Sequence, residues 1–273
     1  MLSPSIENKT DTIKLTIPVK KVEEDALSVD NDGKKFSIII PAYNEEKRIK
    51  ETIISLRSYL KSKKYIYEII VVDDGSTDGT LNVINDTLST DLRVVTITKS
   101  GKGTAVKEGV MSADKENEYV FFMDADLSTD ASEIGTFIDI FKNEPETDII
   151  IGSRYLPEGA VIVQPSFRNL VGRTFSLIKS KLLGINFFDS QCGFKAFRMQ
   201  TAKKIFAKSE IKGFSFDVEI LYIALLNGIK VKEESVNWHH KPGGHVNLIA
   251  DSLPMLIELI EIFLNKNKYI NGF

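Results

Sequence analysis

The sequence predicts an α/β domain with a mainly parallel central sheet flanked by helices, Rossmann-like in plan, and a helical C-terminal extension. Three observations predict it. Short, nearly unbroken runs of Ile, Val and Phe recur at 36–40, 68–72, 93–97, 119–123 and 148–151. Runs without polar alternation fit strands covered on both faces. Between them lie segments with apolar residues at helical spacing, such as Ile49, Ile53, Leu56 and Leu60, so the chain reads as successive βαβ units. Finally, the apolar runs end in Pro, Gly or acidic tips. Right-handed crossovers bring those tips to one sheet edge, where open α/β sheets bind ligands.

Composition narrows the class. The 273 residues are 42% hydrophobic and 27% charged, with a net charge of -3. That is ordinary for a globular domain and gives no bulk attraction to nucleic acid. The single cysteine, Cys192, precludes an internal disulfide and suits a reducing compartment. No stretch resembles a signal peptide or an uninterrupted bilayer span. The expected location is the cytoplasm, with any membrane contact peripheral on the cytoplasmic face. Residues 1–34 read as a mobile leader, 35–245 as the domain, and 246–273 as an amphipathic helix and tail.

Taken in order, the first strand (36–40) is broken by Pro41-Ala42-Tyr43, with Asn44 expected as the N-cap of the following helix. The second (68–72) runs into Asp73-Asp74-Gly75-Ser76-Thr77-Asp78-Gly79-Thr80, where Ser76, Thr77 or Asp78 can cap a helix. The third (93–97) precedes Lys99-Ser100-Gly101-Lys102-Gly103-Thr104. The fourth (119–123) ends in Asp124-Ala125-Asp126, and a helix with Ile134, Phe137, Ile138 and Phe141 leads to the fifth. Beyond it come Gly152-Ser153-Arg154-Tyr155, a long helix with Arg168 and Arg173, and a polar loop over 189–195. A helix opened by Phe216-Asp217-Val218-Glu219 and a returning strand over 229–238 follow.

Asp124 and Asp126 stand one residue apart at the end of an apolar strand. They repel each other unless a cation lies between them, so the pair is a candidate site for Mg²⁺ or Mn²⁺ holding a phosphorylated ligand. Taken alone, the pair could simply begin a polar loop. The convergence of four polar tips on one edge favours a site.

Together, Pro41-Ala42-Tyr43-Asn44-Glu45-Glu46, residues 72–80, Gly101-Lys102-Gly103 and Asp124-Ala125-Asp126-Leu127-Ser128 resemble the family 2 glycosyltransferases of GT-A fold, over about residues 36–245. Residues 189–195, Phe216-Asp217-Val218-Glu219 and Val236-Asn237-Trp238 resemble the dolichyl- and polyprenyl-phosphate β-glucosyltransferases in particular. The resemblance implies an inverting, metal-dependent transferase that moves a hexose from a nucleotide sugar, UDP-glucose foremost, to a polyprenyl or dolichyl phosphate. It implies a nucleoside end near Pro41, Ala42, Tyr43, Glu45, Asp73 and Asp74, with Lys102 at phosphate or base. Asp124 and Asp126 would hold the metal. Arg154, with Arg168 or Arg173, would meet charge on leaving group and acceptor. A lipid phosphate needs no strong base, whereas a saccharide hydroxyl acceptor, as in surface-polysaccharide assembly, would need Asp217.

Other readings compete. Asp124-x-Asp126-x-Ser128 approximates the haloacid-dehalogenase phosphatase signature, but that signature sits on an early strand and leaves 41–46 and 73–80 unexplained. A non-catalytic sugar-nucleotide module would lack the metal acids or Arg154. His239, His240 and His245 lack the partners of a zinc site, and Cys192 lacks a base, so it reads as a packed small residue. In the tail, Ile249, Leu253, Leu256, Ile260 and Phe263 form a helical stripe, widened by Leu248, Met255, Leu259 and Ile262. So wide a face can pack wholly on the domain or lie partly in a membrane interface.

Overall fold

The computed structural model describes residues 35–155, 175, 177–241 and 248–270. Seven strands form one sheet in the order β3-β2-β1-β4-β6-β5-β7. They are β1 (Lys35–Ala42), β2 (Ile66–Asp73), β3 (Leu92–Thr96), β4 (Tyr119–Phe122), β5 (Ile149–Ser153), β6 (Lys195–Arg198) and β7 (Val231–Ser235). All run parallel except β6, which lies antiparallel between β4 and β5. The mainly parallel sheet and its covering helices match the sequence-based expectation.

Burial explains the apolar runs. Ile38, Ile39, Ile40, Ile69, Ile70, Val71, Phe121 and Ile150 are all 0% exposed, as befits strands covered on both faces. The helices are α1 (Ile49–Ser62), α2 (Thr80–Asn85), α3 (Lys102–Ser112), α4 (Glu133–Asn143), α5 (177–183), α6 (Met199–Lys208), α7 (Phe216–Leu226), α8 (Leu248–Leu264) and α9 (Lys266–Ile270). The apolar stripe of α1 (Ile49, Ile53, Leu56, Leu60) is buried as its spacing predicts.

Two local expectations change. Asn44 does not cap α1, whose N-cap position is Arg48 with no side-chain cap. Asn44 adopts φ 54°, and its amide oxygen accepts the Thr77 N–H (2.8 Å) while its own N–H donates to Ser76 Oγ (2.9 Å). The residue ties two loops together instead of starting a helix, and Asn tolerates left-handed backbone better than most residues. The loop expected over 189–195 ends in strand β6. Only four residues long and carrying a buried Lys195, β6 lacks the hydrophobic signature of the other central strands.

The C-terminal helices share the main core. Leu259, Ile262 and Tyr269 are 0% exposed and belong to the cluster containing Phe216, Ile220 and Tyr222 of α7. The outward face of α8 is instead Leu253, Ile257, Ile260 and Leu264, exposed by 66%, 58%, 56% and 73%. The predicted stripe therefore divides in two: Leu259 and Ile262 face the core, and Ile257 joins the exposed row. No helix among the described residues is long and apolar enough to cross a membrane. The leader (1–34), Arg168, Arg173 and His245 lie outside the described residues.

Candidate active site

The C-terminal ends of β1, β2 and β4 open onto a cleft of about 420 Å³, within the range of small-ligand sites. Its first wall is Pro41, Ala42, Tyr43 and Glu45, the residues that break β1. Hydrogen bonds lace this segment to the loop after β2. Glu45 N–H donates to Thr80 Oγ1 (2.7 Å), and Glu46 accepts the Gly79 N–H (3.2 Å). Glu45 also forms a two-pronged ion pair with Arg48 (2.6 and 2.7 Å), which itself lines the cleft. Many residues of the two signature loops thus hold one another, and Pro41 and Tyr43 line the cleft beside them.

The second wall comes from the loop between β3 and α3. Asp74 accepts the Ser100 N–H (2.6 Å), the Gly101 N–H (3.0 Å) and the Lys99 ammonium (2.8 Å), and Lys99 lies 3.3 Å from the centroid of the Tyr43 ring. Gly101 has φ 110°, and a Cβ there would stand 2.5 Å from the Lys212 carbonyl oxygen. Only glycine serves at such a turn. Asp73 sits differently from the sequence expectation. Like Asp74 it is 2% exposed, but it accepts the Ser76 N–H at 3.4 Å and is absent from the cleft lining, which Asp74 joins. Adjacent residues leaving a strand point to opposite sides, so Asp73 holds its own turn while Asp74 holds the β3–α3 loop at the cleft wall.

Asp124 and Asp126 form the floor. Thr52 of α1 donates to the Ala125 carbonyl (2.6 Å), fixing the backbone between them, and Asp126 Oδ1 accepts the Ser128 N–H (2.9 Å). Asp124 Oδ1 accepts from Lys102 Nζ at 2.7 Å. Burial alone would push the Asp124 carboxyl up, but Lys102, with Lys195 and Arg154 further off, outweighs it and holds the group below its ordinary value. Burial also works against the Lys102 ammonium; Asp124, Asp217 and Asp126 reverse that and hold it charged. Gly193 closes the floor from the far side: a Cβ there would stand 2.0 Å from Asp124 Oδ2. Any side chain would displace the carboxylate, so the glycine of the 189–195 segment is required where the backbone meets the acid.

Arg154 follows β5 and is gripped by Asp189. The carboxylate accepts Arg154 Nε (2.6 Å), Nη2 (2.8 Å) and the backbone N–H (3.0 Å). Burial would weaken the guanidinium charge, but Asp189 more than restores it. The rings of Tyr155 and Trp238 each lie 5.5 Å from the guanidinium carbon.

Asp217 is not placed as an exposed base. It is 4% exposed, does not line the cleft, and forms a 2.5 Å ion pair with fully buried Lys195. Burial raises its pKa, and Lys195 and Lys102 only partly offset this. Burial also pushes the Cys192 thiol up to about 12, which removes it as a nucleophile near neutrality. Sequence reasoning did not single out Arg48, Asp189 or the cleft-lining Gly213 and Phe214. Asp189 and Lys99 stood inside quoted motifs, but nothing in a linear pattern says which cation an acid will grip.

An open α/β sheet with a cleft of small-ligand size, an acid pair on its floor and cations around it is the arrangement of a nucleotide-sugar transferase of GT-A fold. The glycosyl transferase family 2 profile matches residues 37–206, and the chain belongs to that family. It is 32% identical over 245 residues to the dolichyl-phosphate beta-glucosyltransferase of Dictyostelium discoideum, covering 85% of this chain and 74% of that protein. It is 33% identical over 258 residues to the human protein of the same name, covering 89% and 78%. In structure it resembles the Mycobacterium tuberculosis glucosyl-3-phosphoglycerate synthase in complex with Mg²⁺ and UDP (TM-score 0.64, 18% identity), covering 86% of this chain and 80% of that one. Family membership removes the dehalogenase-type phosphatase reading, and the Asp-x-Asp motif follows the fourth strand here.

Proposed function

We propose that this enzyme transfers glucose from UDP-glucose to dolichyl or another polyprenyl phosphate, with inversion at the anomeric carbon. The similarity to dolichyl-phosphate beta-glucosyltransferases supports the donor and acceptor classes. One structural observation supports a phosphate over a hydroxyl acceptor: Asp217, the carboxylate expected to deprotonate a hydroxyl, is locked behind the cleft with Lys195. A phosphate monoester has a second pKa of about 6 and attacks without a strong base. Its oxygen forms the new bond to the anomeric carbon as the bond to the UDP oxygen breaks.

In this reading Pro41, Ala42, Tyr43, Glu45 and Asp74 form the nucleoside end, and Asp124 and Asp126 hold a divalent cation. Their donor set is hard carboxylate oxygen, which fits Mg²⁺ or Mn²⁺. No group of three or more acidic, His or Cys side chains converges on a metal position among the described residues. The remaining ligands would come from donor phosphate and water, the habit of Mg²⁺ sites. When bound, the ion supplies Lewis-acid stabilisation of the departing diphosphate. Lys102 keeps Asp124 ionised and oriented, and Arg154 takes the acceptor phosphate. Arg168 and Arg173 are assigned to the same charge-rich side by resemblance alone.

A panel of UDP- and GDP-sugars, each with and without a short-chain polyprenyl phosphate, tests the reading. Stoichiometric UDP release and glucosyl-lipid formation with UDP-glucose alone are expected. Transfer to saccharide hydroxyls with no use of polyprenyl phosphate would overturn it.

The exposed row on α8 supports peripheral contact with the membrane that carries the acceptor. Leu253, Ile257, Ile260 and Leu264 recur every three or four residues and form one apolar strip. Glu258 is turned to the protein, where it accepts the Ser215 N–H (3.2 Å). Replacing Ile257 and Ile260 by Glu is expected to reduce co-sedimentation with polyprenyl-phosphate liposomes at least several-fold, because each buried aliphatic side chain is worth about 1.5–3 kcal/mol. UDP affinity should stay unchanged, and equal co-sedimentation of both forms would refute the contact.

A further inference from the structure

We infer that Glu233 is a positioning residue for the acceptor phosphate, acting through the turn before β6 and Asp189 on Arg154. The inference rests on the assignment of Arg154 to the acceptor phosphate given above. Glu233 lies in the middle of β7, opposite Ile151 of β5. On the same strand, Lys232 is spent on Glu144 and Glu234 in ordinary surface pairing. Glu233 is used differently: its two carboxylate oxygens accept successive backbone N–H groups, Phe188 (3.0 Å) and Asp189 (2.7 Å).

Two consecutive N–H groups on one carboxylate fix both the position and the orientation of the peptide units between them. The side chain leaving that fixed backbone is Asp189, 3% exposed, and its two oxygens take three donors of Arg154. The guanidinium therefore has its Nε–Nη2 edge committed to Asp189, and its Nη1 side is the one that can meet an anion. Lys179 closes the arrangement from α5. It is 2% exposed and donates to Ser190 Oγ (2.9 Å) and the Phe187 carbonyl (3.2 Å); burial works against its ammonium and lowers its pKa, and the charges of Asp189 and Glu233 only partly offset this. Two acids and two cations thus meet around one turn, and one of those cations, Arg154, is the one assigned to the acceptor.

Glu233 lies on the edge strand β7, and its carboxylate serves the turn before β6. Its geometry is needed if Arg154 must present a phosphate-binding edge without searching for it, since misplacement of a positioned group by about 1 Å can cost on the order of 10²-fold. Gln at 233 keeps the size, but its amide NH₂ faces one of the two backbone N–H groups, so one contact is lost.

The test is steady-state kinetics on the full chain with UDP-glucose and a short-chain polyprenyl phosphate, comparing Glu233→Gln, Asp189→Asn, Arg154→Ala and the Glu233→Gln/Arg154→Ala double variant. Glu233→Gln is expected to raise the acceptor KM about tenfold, equivalent to about 1.4 kcal/mol. kcat should change less, and UDP affinity and Tm little. Asp189→Asn should do the same or more. In the Arg154→Ala background Glu233→Gln should add almost nothing, because its only route to the acceptor is gone. An equal further tenfold loss in that background, or a matching loss of UDP affinity, would overturn the relay. If Arg154→Ala itself leaves the acceptor KM unchanged, the assignment of Arg154 fails. If Arg154→Ala raises it and both Glu233→Gln and Asp189→Asn do not, the assignment stands and the relay falls.

Discussion

Replacing Asp126 by Asn is expected to lower turnover on the order of 10³-fold or more, and to abolish the metal-dependent part of UDP binding. Asp126 lines the cleft in the loop that follows β4, and its Oδ1 accepts the local Ser128 N–H at 2.9 Å. Asn retains an amide oxygen for that bond, so the backbone turn survives. What it loses is the negative charge that, with Asp124, makes a cation site. Asp124 alone does not make up that lost charge, because its own charge is already partly balanced by Lys102, which donates to its Oδ1 at 2.7 Å. Calorimetric titration of UDP with Mg²⁺, Mn²⁺ and chelator, run beside thermal melting, separates lost binding from lost fold. Undiminished, chelator-resistant turnover in the variant would remove the metal assignment, and a collapse of Tm would show that the residue is chiefly structural.

How much of this was legible beforehand depends on which physical signal each residue carries. The parallel half of the sheet was readable because strands such as β1 and β2 are buried on both faces and so are written as continuous runs. The acid pair was readable because charge directly after such a run is costly without a purpose. β6 was not: at four residues, with Lys195 and Arg198 in it, its strand character comes from pairing with β4 and β5 and not from local preference. The N-cap role expected of Asn44 failed for a related reason, because the loop after β2 offered its polar groups a better set of partners. Asp73 and Asp74 look identical in sequence, and only the way the chain leaves β2 distinguishes them. Asp217 shows the same limit most sharply. Its place at the start of α7, in an acidic motif, suggested catalysis, whereas its partner lies 22 residues away on a strand that sequence did not reveal.

That partner makes Asp217→Asn a test of stability more than of chemistry. Lys195 is 0% exposed, and its ammonium donates to Asp217 Oδ1 (2.5 Å) and the Cys192 carbonyl (2.6 Å), with the Phe122 ring 5.3 Å away. Removing the carboxylate charge leaves an ammonium in an apolar setting with a single neutral acceptor beyond the amide. Breaking a buried pair from one side costs about 3–5 kcal/mol, a large share of a typical domain's stability. A clear fall in Tm and in denaturant midpoint is expected. Replacing both residues at once, Lys195→Met with Asp217→Leu, should restore part of the loss because no charge is then stranded. Well below the lowered Tm, where Asp217→Asn is folded, it should turn over faster than Asp126→Asn, since a phosphate acceptor needs no proton removed. The rate should also keep its dependence on polyprenyl phosphate. If the variant instead melts like the parent, binds UDP normally and has no activity, Asp217 acts directly in the reaction, and the hydroxyl-acceptor reading becomes the better one.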